Sequence, residues 1–117
     1  MHNFRFVALA AVVILTACGD SQPPTEPIAV QASDTTCEVA STSADAGTIV
    51  FTVTNGGSKV TEFYVYAPGD RVMGEVENIA PGLSRELRVE LPAGTYQTAC
   101  KPGMTGKGVR STFTVSG

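Results

Sequence analysis

The sequence predicts an all-β domain, a Greek-key β-sandwich, and three observations lead to that prediction. From about residue 37 onward, short runs rich in β-branched and aromatic residues recur along the chain. Segments that contain Gly, Pro or Asn separate these runs and are typical of turns. About eighty residues remain after the N-terminal region, which is enough for one small core.

The first part of the chain, residues 1–17, has the pattern of a lipoprotein signal peptide. Arg5 gives a positive start, and Phe6 to Leu15 form an apolar run too short to span a bilayer as a mature helix. Leu15-Thr16-Ala17-Cys18 resembles a bacterial lipobox, in which Cys18 becomes the lipidated N-terminus. We therefore expect an exported protein, anchored by its lipid at the extracytoplasmic or periplasmic face of a membrane. The alternative is an ordinary signal peptide followed by an unrelated cysteine.

Residues 18–31 are polar and rich in proline, so we expect a lipidated N-terminus and a flexible stalk before a domain at 32–117. The end of this stretch, Ile28 to Ala32, could already form the first edge strand. The formal net charge of −3 becomes more negative once Arg5 is removed, which argues against nucleic acid as a partner.

Gly47 to Thr54 is the clearest strand, because Ile49, Phe51 and Val53 alternate onto one face before the turn at Asn55-Gly56-Gly57. The other predicted strands are Cys37 to Ala40, Lys59 to Ala67, Ser84 to Leu91, Thr95 to Cys100 and Val109 to Val115. Val72 to Ile79 breaks this pattern. We expect a short helical turn or an irregular crossover there, as the long connection of a Greek key.

Alternation along Lys59 to Ala67 places Glu62, Tyr64 and Tyr66 on one face of the strand, opposite Phe63 and Val65. One face of this strand is therefore polar at its tips and the other is wholly apolar. In the strand that begins at Thr95, the side chains of Tyr96, Thr98 and Cys100 likewise share a face.

The loop Cys100-Lys101-Pro102-Gly103-Met104 lies between two predicted strands, where β-sandwich electron-transfer proteins hold copper. The ordinary blue-copper site needs two imidazoles beside the thiolate. The single histidine of the chain, His2, lies in the signal peptide. Any metal in the mature domain must therefore be bound by sulfur and carboxylate groups.

Three segments resemble, in order, the cupredoxin-like domain of EfeO-type iron-uptake lipoproteins: Thr54 to Tyr64, Glu77 to Gly82 and Gly94 to Cys100. The resemblance runs from about Ala32 to Val115. In that family a helical domain with a His-x-x-Glu metal motif often follows. Because the sequence ends at Gly117, we expect a stand-alone cupredoxin-like domain.

The resemblance implies that Cys37, Glu62 and Cys100 form a site for copper or iron, with Met104 as a weak thioether ligand. Glu75 and Glu77 are a weaker, second acidic site. The expected partners are a metal ion, the membrane through the lipid, and an iron-uptake permease or a separate helical iron-binding component. The implied function is to assist iron uptake by metal or electron transfer.

Each of these residues also has a simpler interpretation. Cys37 and Cys100 are the only cysteines left after lipidation, and in an oxidising compartment they could form a disulfide instead. The domain would then be a disulfide-stapled adhesion or interaction module without metal. Glu62, Glu75 and Glu77 could be ordinary surface residues, and Met104 could fill a loop.

No catalytic triad, phosphate loop or paired-carboxylate hydrolase site is recognisable in the sequence. We therefore expect a binding protein rather than an enzyme. Oxidation of ferrous iron is chemically allowed but has no sequence feature of its own.

Overall fold

The computed structural model describes residues 26–117, and their fold is a sandwich of two mixed β-sheets. The strands, in chain order, are β1 Ile28–Ala32, β2 Cys37–Val39, β3 Ser43–Asp45, β4 Gly47–Asn55, β5 Thr61–Ala67, β6 Arg71–Ile79, β7 Ser84–Leu91, β8 Gly94–Cys100 and β9 Val109–Ser116. A single 3-10 turn, Pro102–Met104, lies between β8 and β9. The predicted Greek-key β-sandwich is thereby confirmed.

The first sheet, sheet A, has the strand order β2-β1-β4-β7, and the second, sheet B, has the order β3-β9-β8-β5-β6. β1 pairs with β4 in parallel and β3 pairs with β9 in parallel, whereas the remaining neighbours are antiparallel. The chain therefore crosses between the sheets several times, as a Greek-key sandwich requires.

Three phenylalanines join the two sheets at the centre of the core. The Phe51 ring of β4 lies 5.3 Å from the Phe63 ring of β5 and 5.4 Å from the Phe113 ring of β9, measured between centroids. All three side chains are essentially inaccessible to solvent. Their tilted and edge-on arrangement is the favourable one for aromatic pairs, so this cluster contributes more than its buried area alone.

The expectation for Val72 to Ile79 was wrong, because this segment is the strand β6. It pairs antiparallel with β5 across the short turn at 68–70, with two shifts of register. The pairing with β5 satisfies its backbone groups, which outweighs a composition that contains Gly74 and two glutamates.

Two further differences concern the N-terminal part of sheet A. β1 begins at Ile28, within the segment predicted as stalk, and it lies between β2 and β4 rather than at an edge. β3, at Ser43–Asp45, was not predicted. It is three residues long and lies at the edge of sheet B, where pairing with β9 rather than its own composition makes it a strand.

One end of the sandwich, formed by residues 33–36, 55–60, 80–83 and 101–108, is here named the Cys100 pole. Asn55 connects its loops. The buried Asn55 side-chain amide donates to the carbonyls of Lys59 at 2.7 Å and Ile79 at 2.8 Å, and its oxygen accepts from the Gly57 amide at 2.9 Å. These bonds explain why the Asn-Gly-Gly turn, predicted from sequence, holds one fixed conformation.

Candidate metal centre

Cys37 and Cys100, both predicted as metal ligands, are joined to each other by a disulfide in this structure. The bond links β2 of sheet A to β8 of sheet B, with the two Cα atoms 5.5 Å apart. Cys100 is wholly buried in the main core, where it pairs in register with Phe63 of β5. Both sulfur atoms are therefore in a bond that crosses the interior of the sandwich.

Glu62 lies on the other face of sheet B. It precedes Phe63 in β5, so alternation directs its side chain away from the core and from the disulfide. The Glu62 side chain is nevertheless only 7% exposed, and its Oε2 accepts a 2.9 Å hydrogen bond from the Tyr64 hydroxyl. The structure thus separates Glu62 from the two cysteines with which the resemblance grouped it.

Glu75 and Glu77 lie on β6, beside Glu62 and Tyr64 rather than in a separate place. Glu75 pairs in register with Tyr64. Between Thr61 and Phe63 the register shifts, and Asn78 there has a positive φ of 56°, as a β-bulge produces. Glu77 Oε1 lies 3.4 Å from the Tyr64 hydroxyl, a longer contact than that of Glu62. Glu62, Glu75 and Glu77 thus lie beside one phenol on the outer face of sheet B, and we name these four residues the Tyr64 cluster.

The Tyr64 phenol is the centre of this cluster. Burial raises the pKa of Tyr64 above its ordinary value, and the hydrogen bond to Glu62, together with the negative charges of Glu62 and Glu75, raises it further. The phenol therefore stays protonated, and its hydroxyl donates a hydrogen bond to the Glu62 carboxylate. The Glu62, Tyr64 and Tyr66 alternation was the available signal for this role.

Tyr64 and Tyr66 stack on each other, and a cation covers them. Their ring centroids are 5.3 Å apart and the rings are nearly parallel, at 6°. The Lys101 ammonium lies 4.3 Å from the Tyr64 centroid and 5.8 Å from that of Tyr66. These distances are within the range of cation–π attraction, so Lys101 is held over the aromatic pair.

Met104, predicted as a weak thioether ligand, is the last residue of the 3-10 turn at the Cys100 pole. Its side chain is 42% exposed, and its backbone amide donates to the Lys101 carbonyl at 2.9 Å. It belongs to neither cluster of buried apolar residues. The structure therefore leaves Met104 at the surface, while Cys100 is in the core.

Within residues 26–117, no group of three or more His, Cys, Asp or Glu side chains is arranged to hold a metal ion. The predicted copper ligands do not fit a thiolate site as they stand, because both sulfurs share a disulfide and Glu62 faces away from them. The Tyr64 cluster offers only oxygen atoms, which suit hard cations better than copper.

The signal peptide and the lipidation site Cys18 lie outside the described residues. In the part of the chain that is described, no helix has the length and hydrophobicity needed to cross a membrane.

Comparison with known proteins identifies the family to which this sequence belongs. Residues 5–115 match the model of the cupredoxin-like domain. The chain is 31% identical over 101 residues to the iron uptake system component EfeO of Escherichia coli strain K12, and the match covers 84% of this chain but only 27% of EfeO. The same protein of Shigella flexneri matches equally well.

Solved structures agree on the fold. Reduced auracyanin from Roseiflexus castenholzii superposes with a TM-score of 0.59 at 14% identity, covering 76% of this chain and 95% of auracyanin. An azurin from Methylomonas sp. strain J gives a TM-score of 0.57 at 14% identity, covering 76% of this chain and 96% of the azurin. Likeness at that identity concerns architecture alone, whereas the family match extends over nearly the whole sequence. The chain therefore belongs to the cupredoxin-like domain family.

Proposed function

We propose that this protein is a lipid-anchored, extracytoplasmic component of iron uptake that binds iron as cargo and passes it on without catalytic turnover. The lipobox-like sequence at Cys18 supports the anchor and the export. The likeness to EfeO, an iron uptake system component, supports the process. Since the chain spans 27% of the EfeO length, any permease or helical iron-binding partner is part of the proposal.

The single observation that carries the proposal is the buried carboxylate of Glu62. It is 7% exposed, and in the described part of the chain no Lys or Arg forms a salt bridge with it. A carboxylate kept from water without a cation is costly, and the hydrogen bond from Tyr64 offsets only part of that cost. A metal ion at this position would supply the missing positive charge.

The donor atoms favour ferric iron over copper. Glu62, Glu75 and Glu77 offer carboxylate oxygens, and Tyr64 offers a phenol that becomes an anionic ligand when it loses its proton. Because the pKa of Tyr64 is raised, iron must displace that proton as it binds. We therefore expect one proton to be released from Tyr64 for each ferric ion bound, and binding to become tighter as the pH rises.

Titration of the lipid-free domain with ferric iron tests the proposal. We expect one equivalent to bind and to produce a visible phenolate-to-iron absorption band. Glu62→Gln should weaken binding at least tenfold, or about 1.4 kcal/mol, because it removes the buried negative charge. Glu86→Gln is the matched control, since Glu86 is an exposed carboxylate on β7 of sheet A. Equal affinities for the two variants, or no binding at all, would overturn the proposal.

A second candidate function, favoured by the disulfide, is an interaction module that binds no metal. Copper titration of the oxidised and the reduced domain distinguishes a metal-free interaction module from a copper site at the cysteines. An intense thiolate-to-copper band after reduction, lost in Cys100→Ser, would support a copper site at the cysteines. Two oxidised cysteines, no copper band and no iron binding would support the interaction module.

A further inference from the structure

The outer face of sheet B is divided into an acidic and a basic half. The acidic half is the Tyr64 cluster, which includes Glu75 and Glu77 of β6, the strand at one edge of the sheet. The basic half contains Lys101, Lys107 and Arg110, which come from the end of β8, the following loop and β9. We name these three residues the basic group. Lys101 and Arg110 lie over the stacked rings of Tyr64 and Tyr66, beside the acidic half.

Among the described residues, 26–117, Asp70 is the carboxylate that forms a salt bridge with the basic group. Arg110 Nη1 forms a 2.8 Å salt bridge with Asp70, and its guanidinium lies 4.4 Å from the Tyr66 centroid. The Arg110 hydrogen bond holds the pKa of Asp70 below its usual range, and the charges of Lys107 and Lys101 lower it further. The Lys107 carbonyl accepts a 2.8 Å hydrogen bond from Arg110 Nε, and Lys101 and Arg110 both lie over the Tyr66 ring, so the three cations are neighbours.

Neither lysine forms a salt bridge with a carboxylate of residues 26–117. Lys107 is exposed and Lys101 is partly exposed. Three cations thus surround one anion, which leaves a local surplus of positive charge on a chain whose formal net charge is −3. Such a surplus attracts small anions that the rest of the surface repels.

The two halves are adjacent. The Lys101 ammonium lies 4.3 Å from the centroid of the Tyr64 ring, whose hydroxyl is 2.9 Å from the Glu62 carboxylate. A ligand that spans one aromatic ring can therefore contact both the carboxylates and the ammonium group. Its part near Glu62 must be cationic and its part near Lys101 anionic.

We propose that the iron arrives as an anionic complex with a small polycarboxylate, and that the basic group binds the free carboxylates of that chelator. This inference rests on the proposed function and names its substrate class. The Tyr64 cluster contacts the metal, while Lys101 and Lys107 hold the negatively charged part of the chelator. Without these lysines the acidic half would repel the complex as a whole.

Equilibrium dialysis with ferric iron and radiolabelled citrate tests this inference, because it measures metal and chelator separately. The wild-type domain should retain citrate together with iron, and less of it as salt concentration rises. Lys101→Gln and Lys107→Gln should each lower citrate retention several-fold, and about tenfold together. Lys101→Arg should restore most of it, because it keeps the charge over the rings.

Arg88→Gln is the matched control, since Arg88 is an exposed cation on β7 of sheet A. Iron bound without citrate, or citrate retention that the lysine variants leave unchanged, would overturn this inference while the iron-binding function stands. If the domain binds iron neither from the citrate complex nor from another chelate, the proposed function is overturned as well. Citrate retained equally without iron would show a general anion site and would also overturn the inference.

Discussion

Glu62 and Tyr64 show how one residue pair determines the chemistry of the outer face. A carboxylate at this depth would ordinarily cause a large loss of stability, and the phenol two residues later limits that loss by donating a hydrogen bond. The same bond raises the pKa of Tyr64. The pair therefore keeps a protonated oxygen next to a carboxylate, which is the arrangement that the proposed exchange of a proton for a ferric ion requires.

The raised pKa of Tyr64 makes stability depend on alkaline pH. In the unfolded chain a tyrosine ionises at about pH 10, whereas folded Tyr64 keeps its proton to higher pH. The stabilising contribution is therefore complete below that value and is lost progressively above it. Absorbance titration of the metal-free domain should show a tyrosine that ionises well above pH 10, and Tyr64→Phe should lack that step.

The Tyr64→Phe variant should also unfold at lower denaturant concentration at neutral pH. Its Glu62 carboxylate would lose a donor, which is expected to cost about 1.5–3 kcal/mol for a hydrogen bond to a charged group. Tyr66→Phe is the matched control, because no hydrogen bond of the Tyr66 hydroxyl occurs within residues 26–117. An equal loss of stability in both variants would contradict the role assigned to the Glu62 hydrogen bond.

At the scale of elements, the strands with regular alternation were predictable and their partners were not. The faces of β5 were assigned correctly, with Glu62, Tyr64 and Tyr66 opposite Phe63 and Val65. The face of Cys100 relative to Glu62 depends on the register between β5 and β8, which no local pattern encodes. Without that register, the sequence cannot show whether a cysteine and a glutamate at neighbouring strand ends lie on the same face of the sheet.

The strand β6 was not predicted for the same reason: the pairing between strands is not visible in the local sequence. Its sequence contains a glycine and two glutamates. It forms a strand because it pairs with β5 across a tight turn. Pro68-Gly69-Asp70, between β5 and β6, has the composition of a turn, so a hairpin was the available interpretation. The bulge at Asn78, which positions Glu77 near Tyr64, could not be read from residue order.

Asn55 is the element-scale feature with the clearest test. Its amide satisfies two loop carbonyls inside the Cys100 pole, and Asn55 is 1% exposed. Asn55→Ala would leave both carbonyls without a donor, so we expect a loss of about 2–4 kcal/mol in the free energy of unfolding. Thr54→Ala, which removes a hydroxyl bonded to Ser84 at an exposed position, should cost far less in chemical denaturation. Similar losses for the two variants would contradict the role of Asn55.

At the scale of the whole molecule, the disulfide and the proposed iron site are on opposite sides of sheet B. The core side holds Cys37 and Cys100 between the sheets, and the outer side holds the Tyr64 cluster. We therefore expect that stability and the proposed iron binding can be changed independently. A domain whose cysteines were ligands would lose both together when they were replaced.

The Cys37→Ala and Cys100→Ala double variant distinguishes these cases. The bond closes a loop with a sequence separation of 63 residues, so its removal should lower the free energy of unfolding by about 4 kcal/mol. A reductant should destabilise the wild-type protein by a similar amount and leave the double variant unchanged. If the folded variant still binds ferric iron with wild-type affinity, the cysteines act as a staple between the sheets. Loss of iron binding in a variant that remains folded would instead return Cys37 and Cys100 to the metal site.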